Sequence, residues 1–257
     1  MTLKVMSYNI HKGFTMSQRF VLDQIREAMS ETHADLVFLQ EVLGEYQTHP
    51  NKDEKLPLES QFEFLADSVW EHFAYGKNAA YSSGHHGNAI LSKRPIVQWE
   101  NIDISTNRLE RRGILHAVIE MPTELPTEMP SNIPKRPHLH VICIHLNLFQ
   151  KSRIKQVDLL CQRIEAHVPR DAPLIIAGDF NDWKQVVSNT LDSRLGMKEV
   201  FLHKTGAHAR SFPSWLPMLP LDRIYCRGFT IQKAKLLAGA PWSRLSDHLA
   251  LYAELEI

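Results

Sequence analysis

The stretch Leu174-Ile175-Ile176-Ala177-Gly178-Asp179-Phe180-Asn181 decides how this chain is read. Its first half is a short apolar run with two β-branched residues, bounded by a proline and a glycine, which marks a buried strand rather than a helix. The run closes on an aspartate and, two positions on, an asparagine. A Gly-Asp-x-Asn string on its own is also an ordinary turn. What gives it weight is that the same pattern recurs along the chain. Leu3 to Ile10 reads as a strand that reaches Asn9, Asp35-Leu36-Val37-Phe38-Leu39-Gln40 delivers Glu41, and His138 to His145 runs through Val141-Ile142-Cys143-Ile144 to deliver His145.

Two more polar groups stand at strand beginnings. Asp222 opens Arg223-Ile224-Tyr225, and Asp247 and His248 open Leu249-Ala250-Leu251-Tyr252. In a mixed sheet an antiparallel strand starts at the edge where its neighbours finish. Four endings and two beginnings are therefore expected to share one rim.

Along the rest of the chain apolar runs alternate with helical patterns, the sign of an α/β protein. Phe20, Val21, Leu22, Ile25, Ala28 and Met29 fall on one helical face, and Phe62 to Trp70 reads as helical. Ile154, Val157, Cys161, Ile164 and Val168 follow the three–four spacing of an amphipathic helix. Further strands are expected at Ala89 to Ser92, Ile96 to Ile104, Gly113 to Glu120, Ile231 to Leu237 and His248 to Ile257, and no internal repeat is evident. Gly44 to Pro57 reads as a polar loop. Met121 to Pro137 carries Pro122, Pro126, Pro130, Pro134 and Pro137, which no helix interior or central strand tolerates. Strand patterns flank that segment on both sides, so it is read as a connection within one domain spanning residues 1–257.

Composition sets bounds on function. A chain of 257 residues with 44% hydrophobic content can build one large core. Lys plus Arg and Asp plus Glu both number 29, so the formal net charge is zero. That weighs against a non-specific grip on duplex nucleic acid, which draws affinity from neutralising phosphates, although a local basic patch would suffice. The three cysteines, Cys143, Cys161 and Cys226, fit no zinc spacing, and an odd count makes a poor disulfide framework. Cys143 and Cys161 read as buried thiols, which suits a reducing compartment. The first residues lack an apolar signal core, and no run of about 18 apolar residues exists to span a membrane. The expected location is cytoplasmic. The fourteen histidines do not make a zinc protein, because no His-x-x-x-His or cysteine pair sits on a suitable element.

A rim of carboxylates, asparagines and histidines suits a hard cation and a phosphate. Carboxylate and amide oxygens are ligands for Mg²⁺, which also binds substrate phosphate. Without a cation, gathered carboxylates would raise one another's pKa. His145 and His248 can donate to phosphate oxygens, and an adjacent carboxylate would fix a histidine's tautomer or keep it protonated. His11 and Lys12 follow Asn9 closely enough to line such a pocket, as does His86 beside Asn88. Arg111 or Arg112 either touches substrate phosphate or forms a surface ion pair. Asp222 has the same bland alternative with Arg223, and His145 that of a core histidine. Trp215, Leu216, Met218 and Leu219, between Pro213 and Pro220, read as packing against the body of the protein, with a substrate-binding lip as the alternative.

At Gly178-Asp179-Phe180-Asn181 and Ser246-Asp247-His248 the sequence resembles the endonuclease/exonuclease/phosphatase superfamily. That group includes pancreatic-type deoxyribonuclease, abasic-site endonucleases, neutral sphingomyelinases, inositol polyphosphate 5-phosphatases and magnesium-type tyrosyl-DNA phosphodiesterases. The likeness continues, in family order, at Ser7-Tyr8-Asn9-Ile10, Leu39-Gln40-Glu41-Val42, Gly87-Asn88-Ala89-Ile90-Leu91-Ser92, Ile144-His145-Leu146 and Leu221-Asp222-Arg223-Ile224. The longer strings Asn9-Ile10-His11-Lys12-Gly13 and His85-His86-Gly87-Asn88 are similar to a bacterial subgroup. The resemblance implies a four-layered α/β sandwich of two packed, mostly antiparallel sheets flanked by helices, with one Mg²⁺ or Mn²⁺ site. It implies hydrolysis of a phosphodiester or phosphomonoester in a nucleic acid, a phospholipid headgroup or a small metabolite. By position, Glu41 resembles the principal metal ligand, with Asn9 and Asp247 nearby. Asp179 resembles the residue that aligns or deprotonates the attacking water, and Asn181 its neighbour on the phosphate or nucleophile. His248 resembles the histidine on the scissile phosphate, Asp222 the carboxylate that orients it, and His145 a second phosphate contact. Asn88, Arg112, His11 and His86 are expected to touch substrate.

Overall fold

The computed structural model describes residues 1–46, 60–81, 84–108, 110–122 and 138–257. Its strands are β1 (Thr2–Asn9), β2 (Leu36–Tyr46), β3 (His72–Tyr81), β4 (Gly84–Ser92), β5 (Ile96–Asp103), β6 (Gly113–Glu120), β7 (His138–His145), β8 (Leu174–Asp179), β9 (Lys198–Glu199), β10 (Asp222–Arg227), β11 (Thr230–Leu237) and β12 (Ala250–Glu256). Its α-helices are α1 (Leu22–Glu31), α2 (Gln61–Ala66), α3 (Gln150–His167), α4 (Val187–Leu195) and α5 (Val200–Thr205).

The strands form two six-stranded sheets, ordered β11-β12-β1-β2-β4-β3 and β5-β6-β7-β8-β10-β9. Each sheet is mixed, and each contains one parallel pair, β1 with β2 and β7 with β8. A parallel pair needs a crossover, and α1 and α3 supply the two. The two halves are thus built alike, a β-α-β unit at the centre of each sheet. The sequence carries no visible repeat because this likeness lies in topology and not in residue identity.

Period-two alternation sends each strand's side chains to opposite faces. One face of each sheet turns inward. Val5, Phe38 and Ile90 of the first sheet meet Leu115, Val141, Ile175 and Ile224 of the second in a buried layer. The outer face of the first sheet packs Met6, Tyr8, Val37 and Leu39 against Leu22, Ile25 and Met29 of α1 and Leu65 of α2. The outer face of the second packs Ile142, Ile144 and Ile176 against Val157, Leu160 and Ile164 of α3 and Leu191 of α4. Helices, sheet, sheet, helices: this is the four-layered sandwich that the family resemblance implies. All three cysteines are buried free thiols. Among the described residues no helix is long and apolar enough to cross a membrane.

Several elements differ from the sequence reading. The expected helix from Phe62 to Trp70 is α2 alone, started by a capping box between Ser60 and Glu63. Gly44 to Tyr46 extend β2, and the rest of the expected loop to Pro57 lies outside the described residues, as does most of the proline-rich segment, 123–137. The strand β3 has no strong apolar run of its own and forms along β4. On α3 the expected apolar position Ile154 is 54% exposed, while Arg153 and Gln156 are buried. The first turn of this helix lies over loops whose carbonyls need donors. Gln156 donates to the carbonyl of Ile104 and to Oδ1 of Asn147, and Arg153 donates to the carbonyls of Asn147 and Leu148.

Candidate active site

Strand register fixes the rim. In the second sheet His145 and Asp222 both lie opposite Asp179, so the end of β7, the end of β8 and the start of β10 meet at one level. In the first sheet Asn9 lies opposite Gln40, which puts Glu41 one residue beyond, and Asp247 and His248 lead into β12 alongside β1. The two rims are joined by side chains. Asn9 Nδ2 donates to Asp179 Oδ2 across the sheets at 3.2 Å. Nearer the core, Gln40 Nε2 donates to Cys143 Sγ at 3.3 Å.

Asp179 is the hub. Asn181 N–H donates to its Oδ1 at 2.9 Å, and its Oδ2 lies 3.5 Å from His145 Nε2 and 3.8 Å from His248 Nε2. His248 donates from Nδ1 to Asp222 Oδ2 at 2.8 Å, and Ser211 donates to the same oxygen. Asp179, Asp222 and His248 thus form a buried Asp/Asp/His cluster whose ligand-type atoms lie within 4.8 Å of one another. Burial alone would push the His248 imidazole down, but the charge and hydrogen bond of Asp222, with Asp179 and Asp247 behind, more than reverse this and hold it up at about 10. The 2.8 Å contact makes His248 a donor to Asp222 within this cluster. Burial and then the charge of Asp222 push Asp179 up to about 6, against the opposing pull of His248, Asn181 and Asn9. His145 is the reverse case. Burial, then the charges of Arg112, His248, His86 and Lys12, hold it far below the usual imidazole range, so it is neutral.

Glu41 and Asp247 are placed around the segment that follows Asn9. Asn9 Oδ1 accepts from His11 N–H at 3.1 Å, and Ser246 Oγ donates to the Asn9 carbonyl at 2.7 Å. Glu41 approaches Lys12 Nζ at 3.8 Å, and Asp247 approaches His11 Nδ1 at 4.0 Å. Glu41 and Asp247 thus stand beside the same His11–Lys12 segment, each beyond hydrogen-bond distance of its neighbour there, and carboxylate oxygens are of the kind that suits Mg²⁺ or Mn²⁺. Backbone strain gathers here too: of the eight non-glycine residues with positive φ among the described residues, four are His11, Lys12, Glu41 and Asn181.

The remaining expected residues are placed less tightly. His86 lies within β4, not before it, and stacks on Tyr81 at 5.5 Å. Its ring is held at about 4 by burial and then Lys12, with Glu41 opposing and Arg112 adding to the fall. Arg112 is half-buried and donates back to the Arg111 carbonyl, while Arg111 pairs with Asp103 at 3.7 Å. Asn88 is buried and spends Nδ2 on the Gly113 carbonyl at 3.3 Å. Asn181 spends Nδ2 on the Leu146 carbonyl at 2.9 Å. Arg223 is not a surface partner of Asp222. It is buried and donates to the carbonyls of Pro220, Asp222 and Asp182. Trp215, Leu216, Met218 and Leu219 do not pack on the body of the protein: Trp215 is 65% exposed and Met218 56%. Their loop is tied down by its polar backbone instead, through Ser214 N–H on the Asp247 carbonyl at 2.7 Å, and by Phe212, whose ring lies 4.9 Å from that of His248.

Sequence reading missed Ser211, Arg153, Asp182 and Phe212. Ser211 fixes the acceptor of His248. Arg153 ties the loop after β7 to Asp182, whose Oδ1 lies 4.0 Å from its Nε. For Asp182, adjacency to Asn181 was an available signal, whereas the other three are brought in from distant segments.

These features define a phosphoesterase-type sandwich, and the comparison with known sequences agrees: the profile of the Endonuclease/Exonuclease/phosphatase family matches residues 6–248, and the chain belongs to that family. It is 40% identical over 257 residues to the Escherichia coli (strain K12) protein YbhP, covering 100% of this chain and 97% of that one. Among solved structures, the endonuclease/exonuclease/phosphatase from Beutenbergia cavernae superimposes with a TM-score of 0.75 at 17% identity, over 100% of this chain and 72% of that one. D. rerio TDP2 complexed with a single-strand DNA product gives 0.69 at 20% identity, over 100% and 99%. The Bacteroides thetaiotaomicron mannosyl-6-phosphatase Bt3783 gives 0.69 at 16% identity, over 99% and 100%. At these identities the likeness to the solved structures is one of fold.

Proposed function

We propose that this chain is a divalent-metal-dependent hydrolase of phosphate esters that works by in-line attack of water. The observation that carries the reading is the buried chain Asp222–His248–Asp179–Asn9, which brings an acceptor, a cationic donor and a bridging amide together at the meeting of two sheet rims. Glu41, Asn9 and Asp247 are the residues that would hold Mg²⁺ or Mn²⁺. When bound, such an ion neutralises phosphate charge and steadies the leaving oxygen.

The chain's own groups have separable tasks. Asp179 aligns the water and accepts its proton as the new P–O bond forms and the ester P–O bond breaks. Asn181 holds Asp179 Oδ1 through its backbone N–H, and so fixes the direction of attack. His248, held by Asp222, donates from Nε2 to a phosphate oxygen, and neutral His145 donates from its own Nε2. Fixed donors aimed at developing charge are worth most in a site withdrawn from water. His11, Lys12, His86, Arg112 and Asn88 are read as the substrate-facing surround. The neighbours named for a DNA product and for a sugar phosphatase act on different phosphate esters, so the fold does not choose between diester and monoester, or between nucleic acid, phospholipid headgroup and small metabolite.

The test is hydrolysis of bis-p-nitrophenyl phosphate with Mg²⁺ or Mn²⁺, and with chelator. Turnover is expected with the metal and not with chelator. Mn²⁺ is expected to raise the Tm, as ligands of the folded state do, and Glu41→Gln to remove that shift. A Glu41→Gln protein that keeps both the turnover and the shift would refute the assignment.

A further inference from the structure

Among the described residues, several large apolar side chains stand exposed on the loops that carry the candidate site. Leu148 and Phe149 follow His145, Trp183 follows Asn181, and Trp215, Leu216 and Met218 lie on the loop whose Phe212 packs on His248. Phe149 is 70% exposed. These loops form one rim, because two buried arginines bind them together. Arg153 donates to the carbonyls of Asn147 and Leu148 and lies 4.7 Å over the Trp183 ring. Arg223 donates to the carbonyls of Pro220 and Asp182. The apolar groups are therefore presented on a braced edge around the candidate site. Exposed apolar side chains gathered on one braced edge are the kind of surface that marks an interaction site.

The charge on the same segments narrows the occupant. Across residues 146–151, 182–186 and 210–220 the exposed charged residues are Lys151, Lys184 and Arg210, and the one acid, Asp182, is buried against Arg153. The whole chain is neutral, so this is a local cationic excess. Aromatic and aliphatic side chains to enter an apolar phase, cations beside them, and a phosphate-ester site at the centre together match one partner chemistry: the anionic phospholipid surface. We infer that this rim docks on an anionic lipid surface and that the site acts on phosphate esters presented there, the headgroup esters of phospholipids. The inference rests on the phosphoesterase reading above.

Co-sedimentation with vesicles of phosphatidylcholine and phosphatidylglycerol in equal parts, against phosphatidylcholine alone, tests the docking without needing turnover. The chain is expected to bind the anionic vesicles and to lose binding as salt rises. A Trp215→Ser/Met218→Ser variant is expected to lose at least tenfold in vesicle affinity and in hydrolysis of vesicle phospholipid, with turnover of bis-p-nitrophenyl phosphate unchanged. Phe149→Ser, on a separate loop, supplies the same readout if the double variant fails to fold. His248→Gln is expected to bind vesicles without hydrolysing them. Turnover of the small ester with no vesicle binding by the unsubstituted chain would overturn this inference and leave the phosphoesterase reading standing. Vesicle binding with no hydrolysis of any ester would refute that reading and uphold the docking surface. The inference also falls if the double variant converts a dimer into a monomer, or if it loses the same factor on a single-stranded oligonucleotide; the patch then belongs to a second copy or to stacked bases.

Discussion

His248 carries opposing demands that its neighbours resolve. It is buried, which disfavours charge, yet Asp222 at 2.8 Å and Asp179 at 3.8 Å make the protonated ring the favoured one. Replacing it with alanine would strand two buried carboxylates, so the informative substitution keeps a donor toward Asp222. His248→Gln is expected to cut turnover of bis-p-nitrophenyl phosphate by roughly 10²–10³, the usual effect of losing one fixed donor, with a far-UV spectrum unchanged. Full activity in that variant would remove His248 from the reaction. At this scale the sequence was most informative where a polar residue closes or opens an apolar run, as at Asn9, Glu41, His145, Asp179 and Asp222. It was silent on Ser211 and Arg153. A serine in a loop or an arginine beside an apolar helical face ordinarily reads as solvated, and only the arrival of segments distant in sequence buries them.

Elements explain why the polar residues inside the sandwich are tolerated. His116 of β6 and His140 of β7 stand on adjacent strands with His116 Nε2 and His140 Nδ1 3.0 Å apart. Arg163 of α3 donates from Nε to His116 Nδ1 at 3.4 Å, which leaves the proton on His116 Nε2 to donate to His140. The pair is consistent only when both rings are neutral. Burial, followed by His140 and Arg163, holds His116 at about 3, and burial followed by His138 lowers His140. Both folded values lie below the unfolded value, so the unfolded chain takes up protons first on acidification. For His116 the stability is fully present above about pH 6.5 and is lost as pH falls toward 3, at up to about 1.4 kcal/mol per pH unit, and the lowered His140 adds a loss in the same direction. Urea unfolding at pH 7.5 and 5.5 is expected to show this loss, and His116→Gln to flatten it. An unaltered pH slope in that variant would show the pair does not govern it. Of the elements themselves, the long apolar strands were legible. Short α4 and α5, and β3 with its alternation of small and polar residues, were not, because pairing and packing rather than local propensity hold them.

For the molecule as a whole, sheet order could not be read from the sequence, since nothing local states that β1 pairs with both β2 and β12. The layering was expected from the family resemblance, whereas the apolar runs and the one-sided helix faces alone state only an α/β protein. Asn9 and Glu41 belong to one sheet, and His145, Asp179 and Asp222 to the other, with Asn9 on Asp179 as their bridge. The candidate centre is thus a seam between two slabs, and a seam senses slippage before either slab breaks. Low urea that lets the slabs shift by an ångström is expected to silence turnover while circular dichroism and tryptophan emission still report a folded chain. Coincident loss of rate and structure along the urea axis would mean instead that the slabs part only when the whole molecule melts.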